Sequence, residues 1–248
     1  MELVFDSVAV KLYHGDASRM DAIEDHSIDL ILSDPPYGIR FISHHRKIAP
    51  REDIEKDERF QWILMEHFLR EAHRVLKDST AIFLFTRDDQ FPKLYSLVKD
   101  SFKVGRTVIA AYNNWGMGDL YSDFGTACDW IIFGRKKGFA FQNERPSNVL
   151  FFKRVPSVGR RHPTEKPVPL LSYLISITCP TGGTVLDCFM GSGSTIEAAI
   201  ATGRKAVGID ADEEQVRRAV ERVKSITSPL LGTEDLMLEP KNFTPDWI

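Results

Sequence analysis

Apolar residues in this chain fall in short blocks, and the blocks alternate between a strand period and a helix period. Val8-Ala9-Val10-Lys11-Leu12-Tyr13 alternates like a strand and runs into His14-Gly15-Asp16. Ile28-Asp29-Leu30-Ile31-Leu32 and Thr80-Ala81-Ile82-Phe83-Leu84-Phe85 are apolar runs of strand length. Between them Phe60, Ile63, Leu64, His67, Phe68, Ala72 and Val75 recur at helical spacing, which predicts a helix over 60–76. A short helix is predicted after Asp16 and another over about 88–98. Residues 104–112 and 130–133 read as two further strands. From 167 onward the rhythm is regular: a helix over 167–178, a strand over 184–187, a small-residue helix over 194–202, a strand over 205–210 and a helix over 212–226 with Asp212 as its N-cap. Residues 38–58 are polar and read as a loop, and the tail from Ser228, with Pro229, Pro240 and Pro245, reads as irregular.

Alternating strands and helices imply an α/β fold with a parallel or mostly parallel sheet and helices on both faces. Ligands of such sheets bind outside the carboxyl ends of the strands. Asp16, Asp34, Asp187 and Asp210 all fall at predicted strand ends, so they can converge on one rim.

Composition narrows the class. A chain of 248 residues can bury one sizeable core. Hydrophobic and charged contents of 43% and 27% are those of a soluble globular protein. No apolar run approaches the ~20 residues of a membrane helix, and the N-terminus lacks the pattern of a signal peptide. A cytoplasmic location with no membrane partner is therefore expected. Cys128, Cys179 and Cys188 are odd in number and lack metal-ligand spacing, which predicts reduced thiols and no metal site. The net charge of −3 requires any nucleic-acid-binding surface to be local. One stretch qualifies. Over 134–166, Arg135, Lys136, Lys137, Arg145, Lys153, Arg154, Arg160, Arg161 and Lys166 face only Glu144 and Glu165, with Phe139, Phe141, Phe151 and Phe152 interleaved. The competing reading is a solvated charged hairpin.

Two stretches carry chemistry. Ser33-Asp34-Pro35-Pro36-Tyr37 closes an apolar run with a turn whose two prolines fix two φ angles and remove two backbone donors. It offers a carboxylate, carbonyl oxygens and an aromatic face together, which suits a flat ring bearing an amine. Asp187-Cys188-Phe189-Met190-Gly191-Ser192-Gly193-Ser194-Thr195 is a strand end, a glycine turn and a helix start. It is not a P-loop, since no Gly-Lys-Ser/Thr follows, and Ile196 stands where a dinucleotide fingerprint has its third glycine. The next strand ends in Asp210, where an acid commonly accepts from ribose hydroxyls.

Asp34-Pro35-Pro36-Tyr37 followed far downstream by Phe189-x-Gly191-Ser192-Gly193 resembles the amino-group DNA methyltransferases, which methylate adenine N6 or cytosine N4. With the catalytic motif first and the cofactor motif last, the order resembles the β arrangement of that family. His162-Pro163-Thr164-Glu165-Lys166-Pro167 resembles its helix-leading segment. The resemblance covers most of residues 8–226 and fades over 99–160. It implies a circularly permuted, Rossmann-like S-adenosylmethionine-dependent methyltransferase sheet, one domain over 1–248, with a small target-recognition insertion at about 113–161. The strand ending at Asp16 would lie beside the one ending at Asp210, at opposite ends of the chain.

The roles implied are specific. Asp34, Pro35, Pro36 and Tyr37 would be catalytic. Asp187, Phe189, Gly191, Ser192 and Gly193 would bound the methionine part of S-adenosylmethionine, with Asp34 also a cofactor-binding residue. Asp210 would hold the ribose, Asp16 the cofactor's adenine amine, and His162, Thr164 and Lys166 the amino-acid end. Lys166 as a solvated surface lysine is the rival. DNA contact would come from Arg135, Lys136, Lys137, Lys153, Arg154, Arg160 and Arg161, and from a loop with His44, His45, Arg46 and Lys47 covering a flipped base. Carbon-5 chemistry would need a Pro-Cys pair; the chain has Cys179-Pro180, and Cys179 reads as a small buried hydrophobe. The expected activity is N6-adenine methylation of double-stranded DNA. The alternatives are N4-cytosine methylation, RNA adenine methylation and a non-catalytic nucleic-acid-binding protein on the same fold. A homodimer and a cognate restriction endonuclease are candidate partners.

Overall fold

Ile28 to Ser33 form a strand in which every residue is buried, as expected of a strand covered on both faces. The structure, a computed structural model, describes residues 1–36, 58–114, 122, 124–153 and 165–227. Among them the strands are β1 (Glu2–Asp6), β2 (Val10–His14), β3 (Ile28–Ser33), β4 (Leu76–Thr86), β5 (Lys103–Val104), β6 (Val108–Tyr112), β7 (Cys128–Arg135), β8 (Val149–Phe152), β9 (Thr184–Asp187) and β10 (Lys205–Asp210). The helices are α1 (Glu58–Val75), α2 (Phe91–Ser101), α3 (Val168–Thr178), α4 (Ser194–Ala201) and α5 (Glu213–Thr227). No helix among the described residues is long and apolar enough to cross a membrane.

The strands lie in the order β1-β2-β10-β9-β3-β4-β7-β6-β8, with β5 also paired to β7. β2, β10, β9, β3 and β4 run parallel, and β2 is joined to β10 in register from Val10↔Ala206 to His14↔Asp210. The first and last parts of the chain thus close one sheet, the permuted strand order expected from the motif order. The strand side chains alternate between two cores. Leu30, Leu32, Phe83 and Phe85 pack with Leu170, Leu174, Ile196 and Val216 of α3, α4 and α5. Ile31, Ile82 and Leu84 pack with Phe68, Leu69, Leu94 and Val98 of α1 and α2.

Three expectations change. No helix follows Asp16: the backbone of that segment is tied to α1 instead, through Met20 N–H on Glu71 (3.0 Å) and Arg74 on the carbonyls of Met20 (2.8 Å) and Ile23 (3.0 Å). The sheet is mixed beyond β4, because β7 runs antiparallel to β4 and β6. Two edge strands, β1 and β8, escape the apolar pattern since they keep apolar side chains in solvent, Leu3 and Val4 on β1 and Phe151 on β8.

The antiparallel return of β7 relocates part of the basic stretch. Arg135 pairs with Ala81 and Lys136 N–H donates to Thr80, at the amino end of β4, whereas Asp34 follows the carboxyl end of β3. Arg135, Lys136 and Lys137 therefore lie on the rim opposite the motif residues. Lys136 is buried, and its ammonium caps α1 through the carbonyls of Leu76 (2.8 Å) and His73 (3.2 Å). It is a structural lysine and leaves the set of DNA contacts. The interleaved Phe139 and Phe141 pack against the core through Phe133, Phe139 edge-on and Phe141 stacked.

Candidate active site

The carboxyl ends of β3, β9 and β10 bring the two motifs together. Asp187, at the end of β9, is buried, and its carboxylate accepts from Phe189 N–H (3.1 Å) and from the hydroxyls of Thr195 and Ser33. Burial pushes its pKa up to about 6, against those three hydrogen bonds. Ser33 Oγ in turn accepts from Cys188 N–H at 2.8 Å. Ser33 therefore clasps the end of β3 to the glycine turn, and it is the residue immediately before Asp34. Sequence reasoning passed over it, although its place at the head of the Asp-Pro-Pro turn was visible.

The glycine turn is shaped for close approach. Gly191 has φ +49° and a side-chain position with nothing within 4 Å, so its Cα faces open space. Gly193, at φ +84°, caps α4, and a Cβ there would stand 3.2 Å from Ala219. Phe189 packs edge-on against Phe68 at 5.1 Å. Asp210 accepts from Gly191 N–H (2.8 Å) and Asp212 N–H (2.9 Å), and burial raises its pKa. Asp16 is exposed, next to Gly15, whose N–H donates to the Asp210 carbonyl at 2.9 Å. Asp212 caps α5 as expected, through Glu214 N–H at 2.9 Å. Asp16, Asp187, Asp210 and Asp34 thus share one rim, with Pro35 buried and Pro36 exposed beside Asp34.

Lys166 is not a surface lysine. Its ammonium lies 3.2 Å from Asp34 Oδ2 and 3.4 Å from Asp129 Oδ2, with 19% of the side chain exposed. It also stands 4.9 Å over the Phe85 ring. Burial alone would lower its pKa, but the two carboxylates outweigh burial and raise it. The Tyr112 hydroxyl donates to the same Asp129 oxygen at 2.6 Å. Asp129, Tyr112 and Phe85 carry no motif; β4, β6 and β7 bring them to Asp34 through pairing that the sequence does not display.

Arg222 of α5 ties this arrangement together from behind. Its guanidinium pairs with Glu165 at 2.7 Å and Glu197 at 2.5 Å, and it donates to the Ser192 carbonyl at 3.5 Å. Cys179 is buried at the end of α3, and burial pushes its thiol up to about 12, so it stays protonated at neutral pH. Tyr37, His44, Arg46, Lys47, Arg154, Arg160, Arg161, His162 and Thr164 lie outside the described residues. Lys153 follows β8, which runs parallel to β6 with Phe152 level with Tyr112, so it stands exposed on the same rim as Asp34.

A family model described as DNA methylase matches residues 28–221. DNA adenine methyltransferase YhdJ of Escherichia coli (strain K12) is 28% identical over 254 residues, covering 88% of this chain and 84% of that protein. Type II methyltransferase M2.MboI of Moraxella bovis is 26% identical, covering 92% of each. Among solved structures, the M1.HpyAVI–SAM complex superposes with a TM-score of 0.67 at 21% identity, covering 86% of this chain and 98% of that one. PvuII DNA methyltransferase, described as cytosine-N4-specific, gives 0.69 at 17% identity, covering 94% and 96%. At such identities these two likenesses speak for the fold.

Proposed function

The chain belongs to the DNA methylase family that modifies the exocyclic amines of adenine or cytosine, and from that premise we propose that it transfers a methyl group from S-adenosylmethionine to adenine N6 in double-stranded DNA. The observation that carries this reading is the Asp34 carboxylate at the rim, joined through Ser33 to the glycine turn. The relative named as a DNA adenine methyltransferase supports adenine over cytosine, as does Asp at the head of the catalytic motif. The Type II name of another relative supports a cognate restriction endonuclease as partner.

The rim fits the cofactor by donor and acceptor count. S-adenosylmethionine offers a ribose diol and an adenine amine as donors. Asp210 would accept from the first and Asp16 from the second, while Phe189, Gly191, Ser192 and Gly193 bound the methionine part with Asp187 behind them. When bound, the cofactor supplies a methyl group on a sulfonium, an electrophile with a good leaving group. The task of the protein is then to prepare the amine, whose lone pair is delocalised into its ring. Asp34 and the Pro35 carbonyl accept its two hydrogens, so the nitrogen pyramidalises and directs its lone pair outward. The Asp34 charge also stabilises the positive charge that develops on nitrogen and takes up the proton released after transfer. Orientation of this kind is worth roughly up to 10 kcal/mol. The base reaches the rim by flipping out of the duplex and stacking on Tyr37.

Nucleoside analysis of DNA from a methylation-free host expressing the protein should show N6-methyladenine. N4-methylcytosine instead would move the reading to its nearest alternative, and cofactor binding without transfer to DNA or RNA would move it to a binding protein. Asp210→Ala should weaken S-adenosylmethionine binding by roughly 1–3 kcal/mol, the scale of lost charge-assisted hydrogen bonds; unchanged affinity by calorimetry would remove Asp210 from the site.

The loop joining β6 to β7 and the segment following β8 both leave the rim that carries Asp34, which supports target recognition within 113–161. Phosphate contact then belongs to Lys153 and not to Lys137. Lys153→Ala should flatten the slope of log affinity against log salt by about 0.9. Lys137→Ala, on the far rim, should leave it unchanged. A salt titration of duplex binding decides: equal slopes for both variants would place the DNA elsewhere.

A further inference from the structure

Asp34, proposed to accept from the target amine, already pairs with Lys166. An ammonium 3.2 Å from Asp34 Oδ2 competes for the carboxylate that the amine needs. Asp129 Oδ2 lies 3.4 Å from the same ammonium, so the two attractions are nearly equal. Asp129 is itself held in place, because the Tyr112 hydroxyl donates to its Oδ2 at 2.6 Å and β6 pairs with β7 beside it, Ala110↔Asp129. The geometry points to Asp129 as a positioning residue for the methyl transfer: it shares the Lys166 ammonium with Asp34 and thereby keeps the Asp34 carboxylate available to the target amine.

Among the described residues, the two carboxylates and the one ammonium together carry one net negative charge. Replacing Asp129 by a neutral residue leaves a neutral Lys166–Asp34 pair facing a reaction in which the amine becomes cationic. A neutral pair stabilises that developing charge less than a net anion does. With Asp129 in place the ammonium also has two anchors and the Phe85 face beneath it, so it holds Asp34 in one orientation instead of folding onto it.

The inference rests on the proposed methyl transfer, and its test has one readout that does not. In the free protein, the Lys166 ammonium followed by NMR should titrate at lower pH in Asp129→Asn than in the wild type, since one of its two flanking carboxylates is gone. Single-turnover methyl transfer should fall about 10²-fold in Asp129→Asn, the scale of a misplaced reacting group. Asp129→Glu, which keeps the charge but not the size, should retain more activity than the isosteric Asn. Adding Lys166→Gln to Asp129→Asn should raise the rate above that of Asp129→Asn alone, because the competing ammonium is removed. A merely structural role predicts the reverse order of Glu and Asn and no rescue. An unmoved Lys166 titration, or Asn at least as active as Glu, overturns this inference. A wild type that binds S-adenosylmethionine and methylates no nucleic acid overturns the proposed function while the titration still reads the charge sharing.

Discussion

Asp34→Ala should reduce methyl transfer by about 10²-fold or more and leave cofactor affinity nearly intact. An acceptor that faces the substrate amine acts chiefly as charge develops, and removing such a group lowers turnover without an equal loss of binding. The structure separates the two functions in space. Asp34 is tied to Lys166 and, through its neighbour Ser33, to Asp187, whereas the groups assigned to the cofactor's ribose and adenine belong to β10 and to the turn after β2. Asp34→Asn should be milder than Asp34→Ala, because an amide keeps one oxygen acceptor. The check is turnover on duplex DNA beside calorimetric affinity for the cofactor product. Turnover near wild type in Asp34→Ala would sink the mechanism, and a matching collapse of affinity would make Asp34 a cofactor ligand first.

What could be read from the sequence follows from where each signal is stored. β3, β4, β9 and β10 are buried on both faces, so their identity is written locally as apolar runs. The closure of β2 on β10 was legible because the order of the two motifs implied it. The far side of the sheet was not. Nothing local states that β7 runs against β4, and that one reversal moves Arg135 and Lys137 to the rim opposite Asp34. A basic composition also cannot distinguish a lysine that meets phosphate from Lys136, whose ammonium ends buried on the carbonyls of Leu76 and His73. Asp129 shows the same limit from the other side. A lone Asp before Trp130 carries no pattern, and its meaning arises from Tyr112 and Lys166, which only the pairing of strands and the entry to α3 bring within reach.

Arg222→Leu should be the most destabilising single change at the rear of the site, by about 3–5 kcal/mol, the cost of breaking a buried ion pair from one side. The Arg222 and Glu165 side chains are 5% and 7% exposed and meet at 2.7 Å, so removing the guanidinium takes an ion-pair partner from a buried carboxylate. Glu197 on α4 and the Ser192 carbonyl lose the same partner. For a chain of this length the midpoint of thermal unfolding should fall by roughly 6–10 °C at about 2 °C per kcal/mol. Arg222→Lys should lie between, since it keeps the charge but cannot serve Glu165 and Glu197 together through one planar fork. Pairing Arg222→Leu with Glu165→Gln should recover part of the loss, because the carboxylate left behind is then neutral. Function should follow the same order, as Glu165 adjoins Lys166 and the Ser192 carbonyl belongs to the glycine turn. Thermal unfolding of the four proteins, read beside their methyl-transfer rates, is the measurement. A midpoint unchanged in Arg222→Leu, or a double variant less stable than that single one, would show that the cluster does not hold α5 to the site.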